Sequence, residues 1–129
     1  MTTIWIDASF AIEWLGGTQR AKRVSLGKSK LKILTAQYAE VLCYFERRTD
    51  TLEMIEEQLE PLLLTSPSKS TMCAAACLYN AARKKKNKAS LADAILAAAA
   101  IEKNESIASF DEDFKALGLK KKTFGLWMP

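Results

Sequence analysis

The stretch Thr3–Gly17 reads TIWIDASFAIEWLGG, and its apolar period changes partway through. "TIWI" is a short β-type run ending at Asp7, whereas "FAIEWL" from Phe10 has helical spacing and stops at the Gly16-Gly17 pair. A strand, an acid and a helix in immediate succession open an α/β unit. The order recurs near the far end, where "SIAS" reads as a strand, Asp111 follows it, "DEDFKAL" reads as a short helix and "TFGLW" as an edge strand.

Between these ends the pattern is mostly helical. The basic run "TQRAKRVSLGKSK" has no core pattern and is expected to be a loop or a partly helical crossover. From Thr35, taken as a cap, "TAQYAEVLCYFERR" presents an apolar face of Ala36, Ala39 and Cys43 with Tyr38, Leu42 and Phe45. Asp50 is placed to cap the helix in "TLEMIEEQLEPLL", with Glu53 in the capping-box position, and Pro61 ends that helix before a short strand, "LLLT". "SPSKS" turns into a helix from about Thr71 to Lys85, a lysine-rich loop follows, and a last long helix opens at Ser90 and closes at Asn104. Strands alternating with helices predict one α/β domain over 1–129, a three-layer α/β/α sandwich on a mainly parallel sheet.

Composition narrows the chemistry. The 129 residues carry a net charge of +4, which suits a phosphate-bearing partner or simple solubility. There is no histidine, which excludes Ser-His-Asp and Cys-His catalysis and leaves carboxylates, lysines, hydroxyls or a metal. Cys43, Cys73 and Cys77 fit a reducing compartment, read as buried small hydrophobes rather than a zinc site. No secretory run opens the sequence and no apolar stretch is long enough to span a membrane, so the expectation is a soluble, cytoplasmic protein with no membrane partner.

The acids have informative positions. Asp7 and Asp111 each follow a strand, at the sheet edge where open α/β folds bind ligands. Asp93 opens the helix "LADAILAAAA", and Glu40 lies about one turn into the helix from Thr35. Each also has a plain structural use. Asp7 can cap "ASF", Asp111 can cap "EDFKAL", Asp93 can close a capping box with Ser90, and Glu40 can be a solvated helix residue. Together, four acids from separate elements at one edge would repel one another unless a cation neutralised them. Mg²⁺ or Mn²⁺, as one ion or as two about 4 Å apart, suits such oxygen donors, and phosphodiester hydrolysis is the natural chemistry.

Four pieces, "IWIDASFAIEWL", "LTAQYAEVL", "LADAILAAAA" and "IASFDEDFKALGL", resemble in order and interval the PIN-domain nucleases, particularly VapC-like toxins of toxin–antitoxin pairs. The resemblance covers almost the whole chain. It implies a PIN-like fold and a Mg²⁺- or Mn²⁺-dependent ribonuclease holding one or two ions on Asp7, Glu40, Asp93 and Asp111. Asp113 matches a further acid of the last motif, and Ser9 and Ser109 match hydroxyl positions that support the ligand network, with Ser109 standing where Thr is common. A homodimer and a small antitoxin that blocks the acidic pocket are implied as partners. The alternatives are a processing nuclease without an antitoxin and a non-catalytic RNA-binding or scaffold protein on the same fold.

For RNA phosphates the densest basic run is Arg83, Lys84, Lys85, Lys86 and Lys88, joined by Arg47 and Arg48 and by "RAKR" from Arg20. A solvated surface loop explains the lysine run equally well. Core packing is expected for Trp5, Tyr38 and Phe45, while Trp127 is open between a core and an interface position.

Overall fold

The structure, a computed structural model, describes residues 2–24, 26–48, 51–123 and 125–129. β1 (Thr3–Ile6) leads into α1 (Ala8–Gly16), α2 (Gln19–Arg23), β2 (Lys30–Leu34), α3 (Thr35–Glu46), α4 (Leu52–Leu59) and β3 (Leu63–Thr65). α5 (Lys69–Lys84), α6 (Leu91–Lys103), β4 (Ser106–Ala108), a 3-10 turn (Glu112–Leu117), β5 (Lys121–Thr123) and β6 (Leu126–Met128) complete the order. The sheet runs β3-β2-β1-β4-β6-β5. Its first four strands are parallel, with Trp5 opposite Lys32 and Ile107, and β6 is antiparallel to both β4 and β5.

Side chains alternate across the pleat and so build two cores. Ile4, Ile6 and Ile33 meet Phe10, Val41, Ile55 and Leu59 on the face covered by α1, α3 and α4. Trp5, Leu34 and Ile107 meet Phe114, Trp127 and the buried side of α6 on the other, where α5 packs along α6. Ala94, Ala97, Ala98 and Ala100 of α6 are at most 2 % exposed, because only methyl-sized side chains let this helix lie close to both the sheet and α5. Among the described residues no helix is long and apolar enough to cross a membrane.

The three-layer α/β/α arrangement matches the expectation, with several local differences. The sequence reading supplies no strand before Thr35, yet β2 occupies Lys30–Leu34. Its two lysines mask the strand signal: the Lys32 stem lies in the sheet, with its ammonium 5.1 Å from the centre of the Trp5 ring. Leu34, not Thr35, caps α3, without a side-chain bond. The buried stripe of α3 is Gln37 and Val41, flanked by Tyr38, Leu42 and Phe45, so Ala39 and Cys43 face outward. All three cysteines are exposed, contrary to the core role expected of them: Gln37 and Val41 hold the buried side of α3, and Thr71, Ala75 and Ala82 that of α5. α4 is capped by Thr51 without a side-chain bond, and the expected cap Asp50 lies outside the described residues.

At the far end the edge strand is β5, while β6 is interior and buries Trp127 to 2 % exposure. Gly125 between them has φ +83°, and a Cβ there would meet Val24 Cγ2 at 2.8 Å, so a side chain is excluded on two counts. Phe124 lies outside the described residues.

From β1 the chain moves outward to β2 and β3, then returns through α5 and α6 to place β4 on the opposite side of β1. The carboxyl ends of β1 and β4 therefore flank a topological switch point, the position where open α/β sheets bind ligands.

Candidate active site

Asp7 is the last residue before α1 and its N-cap, a place that β1 fixes and the helix start requires. Its Oδ1 accepts the Ala8 N–H at 2.8 Å, and its Oδ2 accepts hydroxyl bonds from Ser9 and Ser109, both at 2.7 Å. Ser109, fully buried after β4, also accepts the Asp111 N–H at 3.0 Å, so one hydroxyl joins the ends of the two central strands. Asp111 in turn caps the 3-10 turn, accepting the Asp113 N–H at 2.9 Å. Asp93 and Ser90 form the complete capping box at the start of α6, with both bonds at 3.1 Å. Each structural role foreseen for Asp7, Asp93 and Asp111 is therefore occupied.

The same acids act on one another electrostatically. Burial pushes Asp7 up to about 6 against the three bonds it accepts, and the Asp93 charge adds to the rise. Glu40 is raised by burial of its carboxyl and then by the charges of Asp7 and Asp93. Asp93 is raised by burial and by Asp111 and Asp113, and Asp113 by burial and by Asp111. Asp7 and Asp93 are thus each within range of Glu40, and Asp111 and Asp113 are within range of Asp93, with Ser9 and Ser109 bonded to Asp7, the most buried of the five. Among the described residues no three acids are drawn tightly enough together to enclose an ion. Carboxylates repel one another, so a closer grouping of these acids would need a cation between them. The donor set is oxygen only, which fits a hard divalent cation rather than zinc.

The basic candidates separate into distinct surroundings. Arg47 lines a groove with Ser9, Ile12, Glu40, Cys43 and Tyr44. Arg48 folds back over the Tyr44 ring at 3.3 Å and donates to the Tyr44 carbonyl, while Arg83 lies 5.0 Å over Tyr79. Lys84, Lys85 and Lys86 are exposed at the end of α5, whereas Lys88 is close enough to Asp113 for its charge to oppose the rise there. Arg20 is paired with Glu13 and stacks 4.2 Å over Phe110. Two polar residues beside the site carry no signal in the sequence. Asn87 is near enough to the Asp113 carboxyl to oppose the rise of its pKa, and Gln37 donates to a carbonyl of α6.

An open, mainly parallel α/β sheet with acids gathered beyond its central strands defines a class of carboxylate-site domains. Within it, the chain belongs to the PIN domain family, whose model matches residues 4–120. In fold it is similar to a toxin–antitoxin complex from Klebsiella pneumoniae (TM-score 0.70, 18% identity, 86% of this chain and 89% of that one). It is also similar to VapC20 of Mycobacterium tuberculosis, described as a sarcin–ricin loop cleaving toxin (TM-score 0.70, 22% identity, 89% and 95% covered). FitAcB from Neisseria gonorrhoeae aligns with a TM-score of 0.69 at 17% identity over 88% of this chain and 92% of the other. No curated protein matches the sequence.

Proposed function

We propose that this chain is a divalent-metal-dependent endoribonuclease, the toxin of a toxin–antitoxin pair. One observation carries the reading: the buried Asp7 at the end of β1 is joined through the Ser109 hydroxyl to the Asp111 turn after β4, at the switch point, and Glu40 and Asp93 from two further helices are near enough for their charges to be felt there. Asp7, Glu40, Asp93 and Asp111 would hold Mg²⁺ or Mn²⁺, one ion or two, which when bound polarises a phosphodiester and activates water for in-line attack. Ser9 and Ser109 orient the Asp7 carboxylate through its Oδ2. Asp113 adds negative charge at the entrance, beside Lys88. Lys88, whose charge reaches Asp113, and Arg47, which lines a groove with Glu40, would meet an RNA backbone leaving the acids, and the exposed Lys84–Lys86 would extend that basic surface.

An antitoxin partner is supported by the likeness to the Klebsiella pneumoniae toxin–antitoxin complex. Half-exposed Leu63 and Leu64 on the edge strand and Leu91 beside Asp93 offer apolar surface to an antitoxin or a second copy of the chain. The test is cleavage of a labelled mixed RNA pool with Mn²⁺, with Mg²⁺ and with EDTA, beside folded Asp7→Asn and Asp93→Asn proteins. Metal-dependent cutting lost in both variants is the expected result. Cutting that survives EDTA, or Mn²⁺ that fails to bind the unmodified chain, overturns the proposal.

A further inference from the structure

Gln37 is fully buried in α3, one turn before Glu40, in a stretch where Val41 and Leu34 are apolar neighbours on the same side. Its Nε2 donates to the carbonyl of Ala92 at 2.9 Å, and Ala92 precedes Asp93 in the first turn of α6. A carbonyl only accepts, so the amide atom facing it is the donor, and Oε1 is left buried without a partner. A methionine or leucine would fill this space with no unsatisfied carbonyl, so core packing alone does not call for an amide.

The bond joins parts of the molecule that otherwise pack apart. α3 lies with α1 and α4 on one face of the sheet, and α6 lies with α5 on the other. Among the described residues the Gln37–Ala92 contact is the only side-chain hydrogen bond between these two helical layers. It crosses at the carboxyl edge, with Glu40 about 4.5 Å along the helix axis from one end and Asp93 adjacent to the other.

We propose that Gln37 is a positioning residue of the acid site: as a strut between α3 and α6, it sets the separation of Glu40 and Asp93. The inference rests on the metal-centre reading above and specifies how two of its ligands, on helices from opposite layers, are held in register. Groups that orient metal ligands without touching the metal typically change affinity ten- to a hundredfold when removed.

The experiment measures Mn²⁺ affinity by calorimetry at pH 7.5 for the unmodified chain, Gln37→Met and Gln37→Asn, each checked by circular dichroism and thermal melting. Methionine keeps the volume and loses the donor, while asparagine keeps the amide one carbon too short to reach Ala92. Expected are folded variants with Mn²⁺ binding weakened at least tenfold and RNA cleavage that recovers at saturating Mn²⁺. If the methionine protein does not fold, the asparagine protein decides. A folded variant that binds Mn²⁺ within twofold of the unmodified chain overturns the inference and leaves the metal centre standing, even if its melting temperature falls. An unmodified chain that binds no Mn²⁺ removes the metal centre and the inference together.

Discussion

Asp7 and Asp93 both sit at the start of a helix and both satisfy backbone amides there, yet their surroundings differ. Asp7 is 4 % exposed, wedged between two strand ends and held by three bonds, two of them from serine hydroxyls. Asp93 is half-buried and exchanges a single pair of bonds with Ser90, which leaves its second carboxylate oxygen unengaged. The site therefore has a fixed half, made by β1 and β4, and a more open half, whose acids Glu40 and Asp93 are carried on α3 and α6. The fixed half stores a carboxylate in a place that disfavours charge, and on the proposed function the more open half would supply the acids that close on a cation.

The sharpest way to break this comparison is Asp7→Asn. Asp7 is raised from 3.8 to about 6, so the folded chain holds that proton over a pH range where the unfolded chain has released it. Stability from this group is greatest below about pH 4 and falls as pH rises toward 6, a total loss of about 3 kcal/mol. Asparagine removes the buried charge and keeps an oxygen for the Ala8 N–H, but its Nδ2 must donate to the serine oxygens instead of accepting from them, so Asp7→Asn should raise the metal-free melting temperature at pH 7.5 by at most a few degrees while RNA cleavage drops to the EDTA background. In excess Mn²⁺ the order should reverse, because only the unmodified chain gains from binding. The same proton competes with the metal, so Mn²⁺ affinity of the unmodified chain should decline as pH falls through about 6. Thermal scans from pH 4 to 8 with and without Mn²⁺ read all of this. An Asp7→Asn protein less stable than the unmodified chain at pH 7.5 would show that the buried charge is not a strain on the fold.

Within the fixed half, the two serines should separate. Ser109→Ala removes a buried donor to Asp7 and the acceptor for Asp111 N–H, and should cost about 1–3 kcal/mol and weaken Mn²⁺ binding ten- to a hundredfold. Ser9 is exposed, so water replaces its hydroxyl and Ser9→Ala should stay within about 0.5 kcal/mol. Equal effects at the two positions, measured by denaturant melts and calorimetry, would mean that the link between β1 and β4 has no special weight.

The more open half answers to a milder change. Ser90→Ala deletes the cap on the Asp93 amide and should destabilise by about 1 kcal/mol, with Mn²⁺ affinity within about threefold, since the Ser90 N–H still orients Asp93. A tenfold loss of affinity would place Asp93 in the fixed half instead.

What was legible in the sequence follows the same division. Asp7, Asp111 and Asp93 stand out because strand ends and helix starts leave local marks: a change of period, a Ser three residues ahead, a glycine stop. Glu40 was legible only with its companions, since a lone acid on an amphipathic helix is ordinary. β2 was hidden because Lys30 and Lys32 break its apolar run, although the Lys32 stem is buried in the sheet. Cys73 and Cys77 turn outward because small side chains on the alanine-rich α5 carry no sign of which side is buried, and Cys43 because Gln37 and Val41 take the buried side of α3. Gln37 and Asn87 left no mark, since their partners, Ala92 and Asp113, come close only when the layers assemble.

The smallest expected effect separates the basic residues near the acids from those beyond them. Lys88 is coupled to Asp113, whereas Lys85 is exposed at the end of α5 with no such partner among the described residues. In an Asp7→Asn background, where RNA would bind without being cut, Lys88→Ala should lower the slope of log affinity against log salt by about 0.7, the loss of one single-strand phosphate contact. Lys85→Ala should leave the slope unchanged, and Arg47→Ala should behave like Lys88→Ala. A slope that falls equally for Lys85 and Lys88 would mean that the whole run from Arg83 to Lys88 tracks the RNA backbone. The entrance would then be defined by net charge rather than by distance from the carboxylates. A slope unchanged by any of the three would turn attention from this rim to the opposite side of the acid cleft.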